Sequence, residues 1–208
     1  MNESGHKPGQ QDSPFHAGEQ AMQSRFGVRD KLESFGRQLI RGAMPEQHRE
    51  LFGKLPYFML GSTDGDGRVW ASALFGEPRF VRAPDASRLC IDACLSADDP
   101  LHGALLPGAA VAGLGIELHT LRRNRVNGKV AAGSSSASLA IEVIESYGNC
   151  PQYIQKRQME FQTPAGPAGD GKAALVAGAL DAAATTLVRR ADTLFIASAF
   201  GGGEGRDA

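Results

Sequence analysis

The sequence predicts a mainly β protein with flanking helices, an α+β chain organised around an antiparallel sheet or barrel. Residues 55–81 alternate β-prone apolar runs with turn residues, which indicates three strands in about 25 residues. Apolar runs at residues 88–92, 110–118 and 139–143 have the length and composition of further strands. Helical spacing lies mainly before and after this central region.

Composition excludes several classes of protein. The chain has 208 residues, 42% of them apolar, and its 22 basic and 23 acidic residues leave a formal charge of -1. No global field therefore attracts nucleic acid or an anionic membrane, and a basic site must be local. Its 3 cysteines include no C-x-x-C pair, which favours a reducing compartment. Without an apolar leader or a span of about 20 apolar residues, we expect a soluble, cytoplasmic protein.

Polar residues 1–13 predict a disordered tail, and residues 14–54 predict a helical segment. Apolar residues recur at helical spacing within that segment. The expected helices cover residues 17–25, residues 30–41, and a short stretch that starts at Pro45 and ends at Phe52.

The central meander is predicted from turn chemistry. Residues 57–60 form an apolar strand, and residues 62–67 are dense in Asp, Gly, Ser and Thr, which favour turns. Residues 69–74 then return as a second strand. The Gly-Glu-Pro sequence at residues 76–78 predicts a reversal into a third strand at residues 79–81.

Strand 88–92 is followed by a predicted short helix at residues 99–105 and by the buried strand 110–118. Asn127-Gly128 predicts a hairpin turn, and residues 139–143 alternate like another strand.

The last quarter of the chain is predicted to be partly helical. Pro151 opens an expected helix, residues 159–172 form a Pro- and Gly-rich linker, and residues 173–190 have helical spacing. Residues 194–198 echo residues 58–62, a weak internal repeat. They are either the first strand of a second barrel or a single terminal strand with a Gly-rich tail.

Two groups of residues could bind an anion. Arg122, Arg123, Arg125 and Lys129 could hold a phosphate through charge-assisted bonds, although a solvated strand end explains them equally. On the second strand, Arg68, Trp70 and Ser72 are spaced to share one face of the sheet. They could hold a phosphate and a flat ring together, or Trp70 could simply belong to the core.

Other site chemistry has little support. The 5 histidines are scattered, so no metal site is expected. G-x-S-x-G, Walker and G-x-G-x-x-G motifs are absent. Cys150 could be a reactive thiol at a helix start, or a buried inert one.

Five phrases in order carry a resemblance that spans residues 15–198: FHAGEQAMQSRFGV, GRVWASALFGEPRFV, GIELHTLRRNRVNGKV, ESYGNCPQYIQ and ADTLFIAS. Together they resemble the pyridoxamine 5'-phosphate oxidase-like family, and in particular its larger bacterial flavin-nucleotide-binding subgroup with two tandem split-barrel halves.

The resemblance implies a six-stranded antiparallel FMN-binding split barrel over residues 55–158, which binds FMN at an interface between barrels, and a homodimer. Residues 173–208 would be a helix and the first strand of a truncated second barrel. Ala73 and Arg79 depart from the family's usual proline and glycine. The implied FMN-binding residues, with those named above, are Arg68, Trp70, Ala71, Ser72, Arg122, Arg123, Arg125 and Asn127.

These observations support three hypotheses. The first is an FMN-dependent oxidoreductase, acting on an unknown small-molecule substrate or with a reductase partner, in which no catalytic acid or base can be named. The second is a non-catalytic barrel that carries flavin or haem, or serves in electron transfer. The third, an oligonucleotide-binding barrel, is the weakest, because aromatic residues are few and the net charge is negative; we expect no nucleic-acid partner.

Overall fold

The computed structural model describes residues 13–135, 138–148, 152–160 and 178–199. The chain divides into two units, residues 1–41 and residues 42–208. The predictions for the tail at residues 1–12, for most of the linker and for the start of the last helix lie outside the described residues.

The described part of the first unit, residues 13–41, contains two helices, α1 (Ala17–Arg25) and α2 (Arg29–Leu39), close to the predicted bounds. A capping box starts α1: the His16 side chain accepts backbone N–H bonds from Gly18 and Glu19. In return, the Glu19 carboxylate accepts the His16 N–H at 3.0 Å. These bonds satisfy donors that have no partner inside the helix.

The second unit is an antiparallel seven-stranded sheet that curls into a half-barrel, a split-barrel-like arrangement. The predicted mainly β class is confirmed, while the described residues form seven strands rather than six. The strand order across the sheet is β2-β1-β5-β6-β7-β4-β3. The strands are β1 (Tyr57–Thr63), β2 (Val69–Phe75), β3 (Val81–Arg82), β4 (Arg88–Ile91), β5 (Ala110–Glu117), β6 (Arg122–Val130) and β7 (Leu139–Gly148).

One face of the sheet, here called the inner face, carries the core. Phe58 and Leu60 of β1 are fully buried, and Phe58 meets Phe52 edge to face with ring centroids 5.7 Å apart. Phe52 belongs to α3 (Glu46–Lys54), the third predicted helix, for which Pro45 is the N-cap. Because side chains alternate along a strand, the neighbouring residues of β1 point to the outer face.

The predicted three-strand meander is wrong in its last step. β1 and β2 form the expected hairpin, but β3 pairs with β4 at the far edge of the sheet, with Val81 opposite Ile91. Phe80 and Val81 are buried in the core. We attribute the crossing to this burial, because a third strand beside β2 would remain at an exposed edge.

The turn between β2 and β3 contains a conformation that favours glycine. The Phe80 N–H donates to the Glu77 carbonyl at 2.9 Å, Pro78 comes second in the turn, and Arg79 comes third with φ 78°. Turns with proline second and positive φ third normally have glycine at the third position. Arg79 therefore occupies a position at which a side chain is strained, and this is where the family resemblance led us to expect glycine.

Asn127-Gly128 is not a hairpin turn. β6 continues through both residues, and its register with β7 shifts between them. A Cβ at Gly128 would lie 2.1 Å from the Glu142 carbonyl oxygen, so glycine is needed here for close approach of two strands rather than for a turn. The chain reverses earlier, between Glu117 and Arg122, where Leu121 adopts φ 62°.

In three segments the sequence predicted more helix than the described residues form. Residues 99–105 form turns, and residues 152–160, just after Pro151, form no helix. The last helix, α4 (Ala182–Arg190), begins only at its cap, where Asp181 Oδ1 accepts the Ala184 N–H at 2.7 Å. Residues 194–198 form no strand, and the truncated second barrel stays a prediction.

Candidate functional site

The outer face of the sheet carries a groove of about 450 Å³, which we call the outer groove. Its floor is formed by β1, β2 and β5, and Arg125 of β6 lies at its side. The volume is within the range of sites that bind small molecules.

Small residues make the floor flat. Gly61 of β1 pairs with Ala71 of β2 on one side and with Ala112 of β5 on the other. All three line the groove. The row has no long side chains, but a Cβ on Gly61 would lie 3.2 Å from Ala197 Cβ, so the room for a planar group lies along Ala71 and Ala112 rather than over Gly61.

Arg125 brings a positive charge to this floor. It pairs with Leu114, which in turn pairs with Met59 in the row beside the small residues. Two strand spacings, about 10 Å, separate β6 from β1. The side chain is exposed, and its one hydrogen bond to a described residue is a long contact of 3.5 Å from Nη1 to the Tyr147 hydroxyl oxygen. No described carboxylate forms an ion pair with it.

The other predicted residues of β6 have different surroundings. Asn127, opposite Ala112, donates from Nδ2 to Glu145 Oε2 at 3.3 Å. Arg122 donates from Nη2 to the Gln47 carbonyl at 3.1 Å, which ties β6 to α3. Arg123 pairs with Ile116 near the end of the strand. None of these three lines the outer groove.

A second recess lies on the opposite face of β2, beside the turn between β1 and β2. We call it the turn recess; its walls include Asp64, Arg68 and Trp70 together with the segment around Pro100 and His102. Its centre is the carboxylate of Asp64, which is only 7% exposed. Asp64 Oδ2 accepts bonds from Arg68 Nε at 2.7 Å and from Trp70 Nε1 at 2.8 Å.

The positive charge of Arg68 is balanced by two carboxylates within this recess. Besides Asp64, its Nη2 meets Asp66 Oδ2 at 2.7 Å, and its guanidinium lies 6.0 Å from the centroid of the Trp70 ring. Burial of the Asp64 carboxyl opposes its ionisation, but bonds from Trp70, Arg68 and the turn backbone hold its pKa well below the usual range. The two carboxylates raise the pKa of Arg68. The charges of this turn therefore satisfy one another.

Ser72 faces the same side of β2 as Trp70 and is buried. Its Oγ donates to Asp99 Oδ1 at 2.8 Å, and the same oxygen accepts the Leu101 N–H at 2.9 Å. Ser72 thus positions the loop that covers β2.

The eight predicted FMN-binding residues do not form one cluster. Ala71 and Arg125 line the outer groove, Arg68 and Trp70 line the turn recess, and Ser72 is bonded beneath the covering loop. Sequence reasoning also missed Gly61, because a single glycine in a β-prone run gives no signal of what approaches it. The aspartates two and four residues before Arg68 were a usable signal that its charge is balanced.

Among the described residues, no group of three or more His, Cys, Asp or Glu side chains is arranged to hold a metal ion. Within the same part of the chain, no helix has the length and apolarity to cross a lipid bilayer.

Comparison by sequence found no matching family model and no matching curated protein. Several solved structures are similar. A candidate pyridoxamine 5'-phosphate oxidase from Lactobacillus delbrueckii is 15% identical, with a TM-score of 0.40 over 51% of this chain and 95% of that chain. HupZ from Group A Streptococcus is 10% identical, with a TM-score of 0.39 over 50% of this chain and 93% of that chain.

An F420 reductase is 15% identical, with a TM-score of 0.32 over 51% of this chain and 97% of that chain. The chain therefore has structural matches to pyridoxamine 5'-phosphate oxidase-like split-barrel proteins over about half its length.

Proposed function

We propose that the chain is an FMN-binding flavoprotein and that the outer groove is its flavin site. The observation that carries the proposal is the combination of a flat floor, made by Gly61, Ala71 and Ala112, with an arginine that has no carboxylate partner among the described residues. The part of the groove along Ala71 and Ala112 fits the flavin ring, and Arg125 fits the terminal phosphate. Phosphate oxygens accept hydrogen bonds from the N–H groups of a guanidinium, often as two parallel bonds.

Bound FMN would supply hydride or electron transfer, and the chain would supply binding, orientation and exclusion of water. Among the residues that the structure describes, the side chains that line the groove include no Asp, Glu, His, Cys, Lys or Tyr. Arg125 is therefore the one charged side chain in this described lining. We infer an oxidoreductase in which transfer to or from the flavin needs no acid or base from these residues.

The same lack of acid and base groups favours a second candidate function, a flavin carrier without turnover that exchanges electrons with a reductase. The two are separated by adding NADH or NADPH, with oxygen or a dye as acceptor, to FMN-loaded protein. Steady oxidation of the nicotinamide indicates an oxidoreductase. Bound flavin that none of these donors can turn over indicates the carrier.

FMN binding itself is tested by thermal unfolding with and without the cofactor. At a hundred times its dissociation constant, a ligand that binds only the folded state adds about 2.7 kcal/mol to the free energy of unfolding. We expect a clear rise in Tm with FMN and a yellow protein after gel filtration. An unchanged Tm and a colourless protein would reject the proposal.

A further inference from the structure

One wall of the outer groove is formed by residues 195–199, which we call the lid segment. All five residues line the groove together with residues of β1, β2 and β5. The segment follows α4 in the chain and belongs to the same unit as the sheet. It forms no strand, so no ladder of backbone hydrogen bonds fixes it to the sheet.

The lid segment rests on the floor of the groove mainly through one residue. A Cβ added to Gly61 would lie 3.2 Å from the Cβ of Ala197, so the segment covers the floor at this point. Within residues 191–199, Ala197 alone is half-buried and the others are exposed. Because the segment buries little apolar surface, little burial is lost when it moves away from the sheet.

Few other contacts hold the lid segment in place. No hydrogen bond joins residues 195–199 to another residue in the part of the chain that the structure describes. The preceding helix, α4, has no buried residue. An exposed ion pair between Arg157 and Asp192 lies just before the segment, and pairs of this kind contribute little to stability. Such a segment can open locally while the sheet stays folded.

We propose that the lid segment opens to admit FMN to the outer groove and closes beside the bound ring. This inference rests on the proposed FMN site. With Ala197 against Gly61, the floor is covered at Gly61 and open along Ala71 and Ala112. Movement of the segment away from the sheet exposes the whole row of small residues, so a flat ring can reach the floor. Closure then limits the access of water to the ring.

The test locks the lid segment shut in the full chain, with a disulfide between Gly61→Cys and Ala197→Cys. The 3.2 Å between the two Cβ positions is close to the separation found in disulfides, about 3.5 Å or more. Stopped-flow flavin fluorescence follows FMN association with the oxidised protein and with the same protein after reduction. We expect the oxidised form to bind FMN at least about tenfold more slowly, because the disulfide prevents the opening that entry requires. Gly61→Cys alone, which keeps the native cysteines, should bind FMN at one rate before and after reduction.

A second pair of variants needs no disulfide. Ala197→Gly removes the methyl group that meets Gly61. Ala199→Gly is its matched control, because Ala199 is an exposed alanine of the same segment and is not among the atoms nearest to Gly61. Both variants add one glycine to the segment. We expect Ala197→Gly to bind FMN about twofold faster than Ala199→Gly, as loss of a half-buried methyl contact predicts.

Equal association rates in the oxidised and reduced forms, or in the two glycine variants, would overturn the lid proposal and leave the proposed function intact. Failure of the two introduced cysteines to form a disulfide would contradict the closed contact at Gly61. A wild type that binds no FMN would overturn the proposed function and this inference with it.

Discussion

The outer groove and the turn recess each include an arginine that contacts an aromatic residue, but only one of the two arginines is paired with carboxylates. In the turn recess, Arg68 lies beside Trp70 and is bonded to two carboxylates. In the outer groove, Arg125 contacts the hydroxyl of Tyr147, and no described carboxylate pairs with it. An arginine whose charge is satisfied by its own chain stabilises a turn, whereas one left without a carboxylate can bind an anionic ligand.

The largest expected effect comes from Arg125→Ala. A hydrogen bond to a charged group contributes up to about 3 kcal/mol, so FMN binding should weaken by about a hundredfold. Riboflavin, which lacks the phosphate, should lose little affinity. Titrations of both flavins into wild type and variant measure the coupling between Arg125 and the phosphate.

Two control variants sharpen that result. Lys129→Ala removes the same charge from the same strand, but Lys129 does not line the groove. Arg68→Ala removes the arginine of the turn recess. Both should bind FMN within about twofold of wild type, since neither loses a charge-assisted bond to the phosphate. Equal losses in Arg125→Ala and Arg68→Ala would remove the distinction between the two regions.

A second comparison uses glycines on opposite faces of the sheet. A Cβ at Gly113 would lie 2.4 Å from the Phe58 ring and 2.8 Å from Val126, inside the core. We expect Gly113→Ala to destabilise the fold by about 2 kcal/mol, as overpacking does. The measurement is urea unfolding.

Gly61→Ala is the outer-face counterpart. The side-chain atoms nearest to its new methyl group are Ala197 Cβ at 3.2 Å and Ala112 Cβ at 3.7 Å, so the free energy of unfolding should change by less than about 0.5 kcal/mol. FMN affinity should fall by a few-fold because the added methyl group narrows the groove. A large loss of stability in Gly61→Ala would mean that the outer face is packed like the core.

The smallest expected effect concerns the pH dependence of the turn recess. The depressed pKa of Asp64 means that its ionised form stabilises the fold above the unfolded-state pKa, about 4. That contribution is lost as pH falls through the lower folded-state pKa. Asp64→Asn should therefore unfold at a lower temperature than wild type at pH 6, and the difference should shrink toward pH 2. Parallel Tm curves across this range would contradict the role of Asp64.

Local chemistry made much of the fold predictable. The Asp- and Gly-rich turn after β1 predicted the first hairpin, and the apolar strand 110–118 corresponds to β5 (Ala110–Glu117). Strand pairing was harder to predict from the sequence, because no residue near Val81 specifies that β3 pairs with β4. The hairpin turn predicted at Asn127-Gly128 was wrong, because glycine also occurs where two strands approach each other closely.

The residues of the candidate site could be predicted only in part from the sequence. Arg125 and Ala71 were named because motif phrases contain them, but phrases do not specify on which face a side chain lies. The groove wall formed by residues 195–199 was missed because residues 194–198 are β-prone, and strand propensity cannot distinguish a segment that joins a sheet from one that covers it.

The most direct measurement is a crystal structure of the chain with FMN bound. Our proposal predicts the phosphate within hydrogen-bond distance of the Arg125 guanidinium. The ring should lie in the outer groove, along Ala71 and Ala112. A phosphate bound to Arg68 in the turn recess, with the outer groove empty, would contradict it.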